Sequence, residues 1–380
     1  MTKGTGVQKR PPLKRLEAVW KRAWMRIFAR LMRGAPRAVP PDWDARPFRV
    51  LYLRYDRIGD MIMATSLIRA IKQSHDTITV DVLASRSNAP VLRHNPRVGE
   101  VTTFDRRSGR SYVKTMLRLS RSGYDVIIDG MVLKPSMTML LLMLASRARY
   151  RIGIGGREND FIYSLPVTAP PPDEHHITHS AATAIPFGVD PDRTDWRPEI
   201  FLSPDERERA EREWMADGHR GARILVNISA GEPRRRWPDD FYGEVVRYLS
   251  SRENPPHVLV MATPDERISA ERIARPGGRA VVPHLRDAFA LVASADVVFT
   301  PDTSISHATS AFDKPAVVMM IQGMHIFEPY QTRGRSVYSD GPTLASLPVP
   351  RVIEALDDVL RETGIEPERS KSSLSQTSAP

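Results

Sequence analysis

The sequence predicts an α/β protein of two Rossmann-like βα domains in tandem, each a parallel sheet covered by helices, with the sheets facing a cleft. Three observations carry this. Short apolar, β-prone runs alternate with segments of helical spacing from Val50 onward, and the alternation starts again near Pro204. Between the two series, residues 166–204 hold many prolines and no sustained period, which places the interdomain connection there. At 380 residues the chain has room for two cores, since single domains usually run to roughly 100–200 residues.

The first element is an arm over residues 1–46, which carries a net charge of +9 of the chain's +10. The near-neutral remainder excludes a nucleic-acid-binding face, so no nucleic-acid partner is expected. Within the arm, Leu16, Val19, Trp20, Ala23, Ile27 and Leu31 fall on one helical face. Lys14, Lys21, Arg22, Arg26, Arg30 and Arg33 lie mainly elsewhere, and Trp24 and Phe28 widen the apolar side. Such a basic amphipathic helix over residues 14–33 suits an anionic membrane surface; a helix that caps the domain or binds a protein partner is the alternative.

Pro36, Pro40, Pro41 and Pro47 separate the arm from the first domain, residues 47–190. Its expected strands are Val50–Tyr55, Ile78–Leu83, Val101–Phe104 and Val126–Ile128, with a helical pattern after each. The second domain, residues 191–349, opens with a helix at Pro204–Met215. Strands follow at Ile224–Ile228, Val258–Met261, Val297–Thr300 and Ala316–Met320. A helix within residues 350–364 is expected to return across the cleft, and the Ser- and Lys-rich tail at 365–380 to be disordered.

The absence of cysteine excludes disulfides, thiolate zinc sites and cysteine nucleophiles. With no run of 18 apolar residues and no signal-peptide pattern, the expected location is the cytoplasm. His175, His176 and His179 read as solvated loop histidines, and Gly153, Gly155 and Gly156 as a turn. No glycine-rich dinucleotide fingerprint occupies Asp56–Met61, which argues against a nicotinamide-dependent dehydrogenase. No Asp-x-Asp metal motif stands out, so neither metal nor cofactor is expected.

Three junctions between strand and helix carry candidate chemistry. At Arg49–Ala70 a buried strand leads through a tight turn bearing Asp60 into a helix. Helix starts favour anions, so a carboxylate there points to handling a proton or a hydroxyl. At Val297–Met320 a strand ends before Asp302, Thr303 and Ser304, any of which can cap the small-residue helix that follows, and such a helix start suits phosphate. At Asn227–Pro238 the small residues Ser229, Ala230 and Gly231 admit a ligand to the backbone, and the arginine run 234–236 offers pairing to a diphosphate. A solvated charge run is the alternative for those arginines.

The segments RIGDMIMATSLIRAI, SAGEPRRRWPDDFY, TPDERISAERIA and DTSISHATSAFDKPAVV stand in this order. In them the chain resembles glycosyltransferase family 9, the family that includes the ADP-heptose:lipopolysaccharide heptosyltransferases, over nearly all of residues 48–360. The resemblance implies a GT-B fold with the donor nucleotide held mainly by the C-terminal domain, and sugar transfer with inversion. It implies Asp60 as catalytic base, Arg235 in place of a usual lysine at the leaving diphosphate, and Glu266 near the ribose hydroxyls. Asp302, Thr303 and His307 match a D-T-G-x-x-H motif that holds phosphate and donor sugar; Ser304 replaces its glycine and leaves the donor's identity open. Ser229 and Gly231 complete the expected donor site. Lys134 lies near an acceptor-contacting segment of the family but out of step by about one residue. The implied substrates are a nucleotide sugar, ADP-heptose in the family's pattern, and a lipid-linked envelope glycan at the inner face of the cytoplasmic membrane. A nucleotide-sugar epimerase on the same fold and a non-catalytic sugar-nucleotide-binding protein are the competing functions.

Overall fold

The computed structural model describes residues 37–131, 136–156 and 160–365; the arm helix at 14–33, Lys134 and the tail from 366 lie outside them. The described residues form two compact units, the first from within 1–56, 67–89 and 96–194, the second from within 57–66, 90–95 and 195–380. The short stretch 57–66, which carries Asp60, thus groups with the second unit.

The first unit's strands are β1 (Phe48–Arg54), β2 (Ile78–Ala84), β3 (Val98–Thr103), β4 (Val126–Asp129), β5 (Tyr150–Ile154) and β6 (Leu165–Val167). Its helical elements are α1 (Ile58–Ser74, its first turns grouped with the second unit), α2 (Gly109–Arg121), α3 (Met137–Ser146) and α4 (His176–Ala181). The six strands are parallel, in the order β3-β2-β1-β4-β5-β6. The central β1 is buried everywhere except Arg49. Helices cover both faces of such a sheet, so its strands read as continuous apolar runs rather than alternations.

The second unit has α5 (Pro204–Met215), β7 (Arg223–Asn227), α6 (Asp239–Ser250), β8 (His257–Met261), α7 (Arg267–Ala274), β9 (Arg279–Val281) and α8 (Leu285–Ser294). It continues with β10 (Val297–Pro301), α9 (Ser304–Ala311), β11 (Ala316–Met320), β12 (Gly334–Tyr338) and α10 (Val349–Glu362). Its parallel strands run β12-β11-β10-β7-β8-β9. Counted within the unit, this repeats the first sheet: third, second, first, fourth, fifth, sixth. In such sheets ligands bind beyond the carboxyl ends of the strands where the order reverses. That point falls between β1 and β4 in one unit and between β7 and β10 in the other.

Local chemistry explains the helices. α5 begins with a capping box, Ser203 accepting the Glu206 N–H while Glu206 reaches back to the Ser203 N–H, and with Pro204 in its first turn. In the second core Trp237 meets Tyr242 and Phe299 edge-on at centroid distances of 5.0 and 5.9 Å, and its indole N–H donates to Leu347 O at 2.9 Å. Val352, Leu356, Val359 and Leu360 put one stripe of α10 into this same core.

Several expectations change. No α-helix follows β2, only a 3₁₀ turn at Ala89–Leu92, because Pro90 and Pro96 interrupt the pattern. The stretch 166–204 holds most of β6, α4 and a 3₁₀ segment at Ala182–Phe187, with Phe187 stacked on Trp43 at 4.7 Å. His176 and His179 are 2% and 3% exposed inside α4, and His175 caps that helix by accepting the Ile177 N–H at 3.1 Å, so these are not solvated loop histidines. Gly153 belongs to β5 rather than to a turn, since a Cβ there would overlap the Tyr163 ring; Gly156 does take a positive φ of 74°.

Candidate functional site

In the second unit the switch point is built by Asn227 at the end of β7. Its buried amide donates to Thr300 Oγ1 at 2.9 Å and to Thr303 Oγ1 at 3.3 Å, and its Oδ1 accepts the Ser229 N–H at 3.3 Å. One side chain therefore ties the end of β7 to the end of β10 and sets the loop that leaves the sheet. Such a buried, fully engaged amide rigidifies its surroundings.

Thr303 is the N-cap of α9, its hydroxyl accepting the Ile305 N–H at 3.3 Å. Capping leaves Asp302 for other work. Asp302 is 3% exposed and lies 3.0 Å from Arg235 Nη1, which also donates to the Asp302 carbonyl at 3.1 Å. Burial pushes the Asp302 carboxyl up to about 6; Arg235 first, then Arg57 and Arg234, pull against the rise, and Glu232 adds to it. Arg235 comes from a 3₁₀ turn, Pro233–Arg235, and without a bound anion it is held by this carboxylate.

Glu232 bonds Arg57 at 2.8 Å and Arg234 at 2.9 Å. The Arg234 hydrogen bond and the nearby Arg235 and Arg57 charges hold its carboxyl below the usual range against the opposing effect of burial. Three guanidinium groups thus converge on two carboxylates beside the start of α9. The guanidinium groups outnumber the carboxylates by one, and this excess positive charge beside a helix N-terminus suits an anionic ligand.

Glu266 joins the loops after β7 and β8: Oε2 accepts the Ser229 hydroxyl at 2.6 Å and the Thr263 hydroxyl at 2.7 Å. Ser229 Oγ in turn accepts the Thr263 N–H at 3.0 Å. The carboxylate thereby sets the shape of the β7 loop. A Cβ added to Gly231 would meet nothing within 4 Å, so the backbone there is open to a ligand.

His307 is buried one turn into α9. Its neighbour is Gly59, where an added Cβ would stand 2.7 Å from His307 Cδ2 and 3.7 Å from Ser304 Cα. Gly59 precedes Asp60, which lies partly exposed in the first turn of α1. The two motifs, more than 240 residues apart in sequence, are therefore in contact through a glycine. The structure brings together His307, Ser304, Thr303, Asp302 and Arg235, with Asp60 next in sequence to the Gly59 contact and with Ser229 and Glu266 hydrogen-bonded between the loops after β7 and β8. Asn227, Arg57 and Glu232 fall within the candidate segments of the sequence but carry no assigned role there; a polar residue ending the buried run of β7 is the signal for the first.

The first unit's switch point is different. Arg54, buried at the end of β1, donates to Gly130 O, stands 3.1 Å from Asp56 Oδ1 and has its Nη2 3.3 Å from His176 Nε2. Asp129 accepts the Tyr163 hydroxyl at 2.5 Å and the Met131 N–H at 2.8 Å. Among the described residues no group of three or more His, Cys, Asp or Glu side chains is placed to hold a metal ion, and no helix is long and apolar enough to cross a membrane.

Comparison with known proteins bears on this geometry. The family described as glycosyltransferase family 9 (heptosyltransferase) matches residues 113–340. The chain is 22% identical over 289 residues to lipopolysaccharide heptosyltransferase 3 of Escherichia coli (strain K12), covering 71% of this chain and 81% of that one. A glycosyltransferase family 9 structure from Veillonella parvula superposes with a TM-score of 0.75 at 15% identity, covering 85% of this chain and 99% of that one. The E. coli ADP-heptose lps heptosyltransferase II superposes at 0.68 and 20% identity, covering 83% and 100%. The paired six-stranded parallel sheets and these neighbours make the fold GT-B. With the family pattern spanning more than half of its length, the chain belongs to glycosyltransferase family 9 (heptosyltransferase).

Proposed function

We propose that this protein is an inverting transferase that moves a heptose from an ADP-activated donor to a lipopolysaccharide core or related envelope glycan, with Asp60 as general base. The names of its relatives support the sugar and the acceptor class. The observation that supports the reading is the contact of Gly59, the residue before Asp60, with His307 in the helix expected to hold the donor.

In this reading the donor diphosphate lies over the amide groups at the start of α9 and against Arg235, and the donor sugar extends toward Asp60. The acceptor hydroxyl oxygen bonds to the anomeric carbon while its proton passes to the Asp60 carboxylate. The bond from that carbon to the diphosphate oxygen breaks on the opposite face, giving inversion, and the nucleoside diphosphate leaves. Arg235 gains in strength as the leaving group gathers charge, which is the interaction that accelerates the step. No metal or cofactor is required, since Arg235 and the helix start supply the positive charge. The acceptor sits in the inner leaflet of the cytoplasmic membrane, where the basic arm at 14–33 holds the enzyme as a peripheral protein.

Asp60→Asn tests the base. General-base catalysis is worth roughly 100- to 10,000-fold, so kcat should fall by that factor while donor affinity stays within a few-fold. A variant that turns over at the wild-type rate rejects the assignment.

A further inference from the structure

The outer face of α2 is a feature that sugar transfer does not use. Arg110, Val113, Lys114, Leu117 and Arg121 recur at helical spacing and share one sector of the helix. Val113 and Leu117 are 59% and 49% exposed, among the most exposed large aliphatic side chains of the described residues. The opposite face is the packed one: Thr115 and Leu119 are buried, and Tyr112 and Met116 lean on the first unit's core. The helix is fixed in place by that core and by its Ser108 cap, which accepts the Ser111 N–H at 3.3 Å.

Positive charge is in excess on the exposed face. Arg106 and Arg107, just before the helix, and Arg110, Lys114 and Arg121 within it are exposed, and among the described residues none makes an ion pair. Two acids stand nearby, Glu100, which pairs with Arg118, and Asp105, which accepts the Arg107 N–H at 2.9 Å, so the cations remain in excess. A solvated helix of a soluble protein commonly interleaves acids with its bases. Here two aliphatic side chains stand exposed between cations instead.

We propose that this face of α2 docks on an anionic membrane surface, as a second contact besides the arm at 14–33. The match is one of chemistry. A helix lying in the plane of a membrane inserts an apolar stripe among the headgroups while long basic side chains reach lipid phosphates on either side. Val113 and Leu117 form the stripe, Arg110, Lys114 and Arg121 run along one side of it, and Arg106 and Arg107 precede it in the chain. Nucleic acid would use the cations and leave the aliphatic pair in water. The proposal rests on the reading that the acceptor is membrane-anchored, and its test uses no acceptor, so that the two fail separately.

The experiment compares the full chain with Arg110→Glu/Lys114→Glu and with Val113→Ser/Leu117→Ser, in sedimentation with vesicles of phosphatidylglycerol and phosphatidylcholine and with vesicles of phosphatidylcholine alone. Each basic residue near an anionic surface contributes about fivefold in partition, so the charge-reversed pair should bind the anionic vesicles at least about 25-fold more weakly. The serine pair should also bind more weakly, and both should melt like the wild type, since neither touches the core. Three outcomes overturn the proposal. One is unchanged partition in both variants; another is an equal loss on phosphatidylcholine alone. The last is wild-type partition accompanied by dissociation of a dimer in the serine pair, which would assign the face to a second copy of the chain. Turnover of a water-soluble acceptor by the same variants reports on the transferase reading independently.

Discussion

Where the strand order reverses in the first unit, the protein fills its own crevice; in the second, the same topology leaves the backbone open. At the end of β4 a Cβ on Gly130 would stand 2.5 Å from Leu53 O and 2.7 Å from the Tyr52 ring. The Arg54 guanidinium donates to the Gly130 carbonyl, and Asn88 closes the other side by donating to Arg54 O at 3.1 Å. Beyond β7, Gly231 faces open space, and Arg235 is held by one residue, the buried Asp302, through its carboxylate and its carbonyl. Topology thus sets where a ligand fits, and side-chain chemistry decides which of two equivalent places receives one. An arginine locked between carbonyl, carboxylate and imidazole is a structural strut. One resting on a carboxylate whose charge is costly is available to a competing anion.

The sharpest way to break this contrast is to remove the strut. Arg54→Ala leaves the Gly130 carbonyl and Asp56 without their buried partner, and breaking a buried charged contact of this kind costs roughly 3–5 kcal/mol. Urea denaturation should show that loss, and an unchanged midpoint would mean that the first crevice does not depend on it. The carboxylate beside Arg235 supplies the next test. Folding raises the Asp302 pKa to about 6 through burial, so its contribution to stability is fully present below the ordinary carboxylate range and is lost as pH rises through 6. The wild-type advantage over Asp302→Asn should therefore shrink by on the order of 3 kcal/mol between about pH 4 and pH 7. A difference that stays flat with pH would show that folding does not raise this pKa. The smallest effects come from a matched pair of glycines. Gly130→Ala overpacks against a backbone carbonyl and should cost about 1–3 kcal/mol, whereas Gly231→Ala should leave stability within about 0.5 kcal/mol and weaken donor binding instead. Equal stability losses in the two would erase the contrast.

How much of this was legible in the sequence follows from physics that acts locally. The central strands β1, β7 and β10 read plainly because burial on both faces makes them unbroken apolar runs. The edge strands β6 and β9 did not, because three residues each are too few to show a period. The helix start at Asp302 was visible, but which residue caps it was not, because Asp, Thr and Ser are all good caps. What assigns the cap to Thr303 is the pairing of Asp302 with Arg235, across 67 residues of chain. Burial of His176 depends likewise on Arg54, 122 residues earlier. The motif around Asp60 could be read from its resemblance, yet the reason for Gly59 emerged only from its contact with His307.

In the proposed reaction the second unit's switch point holds the donor diphosphate through Arg235. Calorimetric titration of ADP-heptose into Arg235→Ala tests it most directly, set beside the wild type at neutral pH. A hydrogen bond to a charged group contributes about 1.5–3 kcal/mol, so affinity should fall roughly 10- to 150-fold in a protein that remains folded. Wild-type affinity in that variant would contradict the claim and place the diphosphate elsewhere.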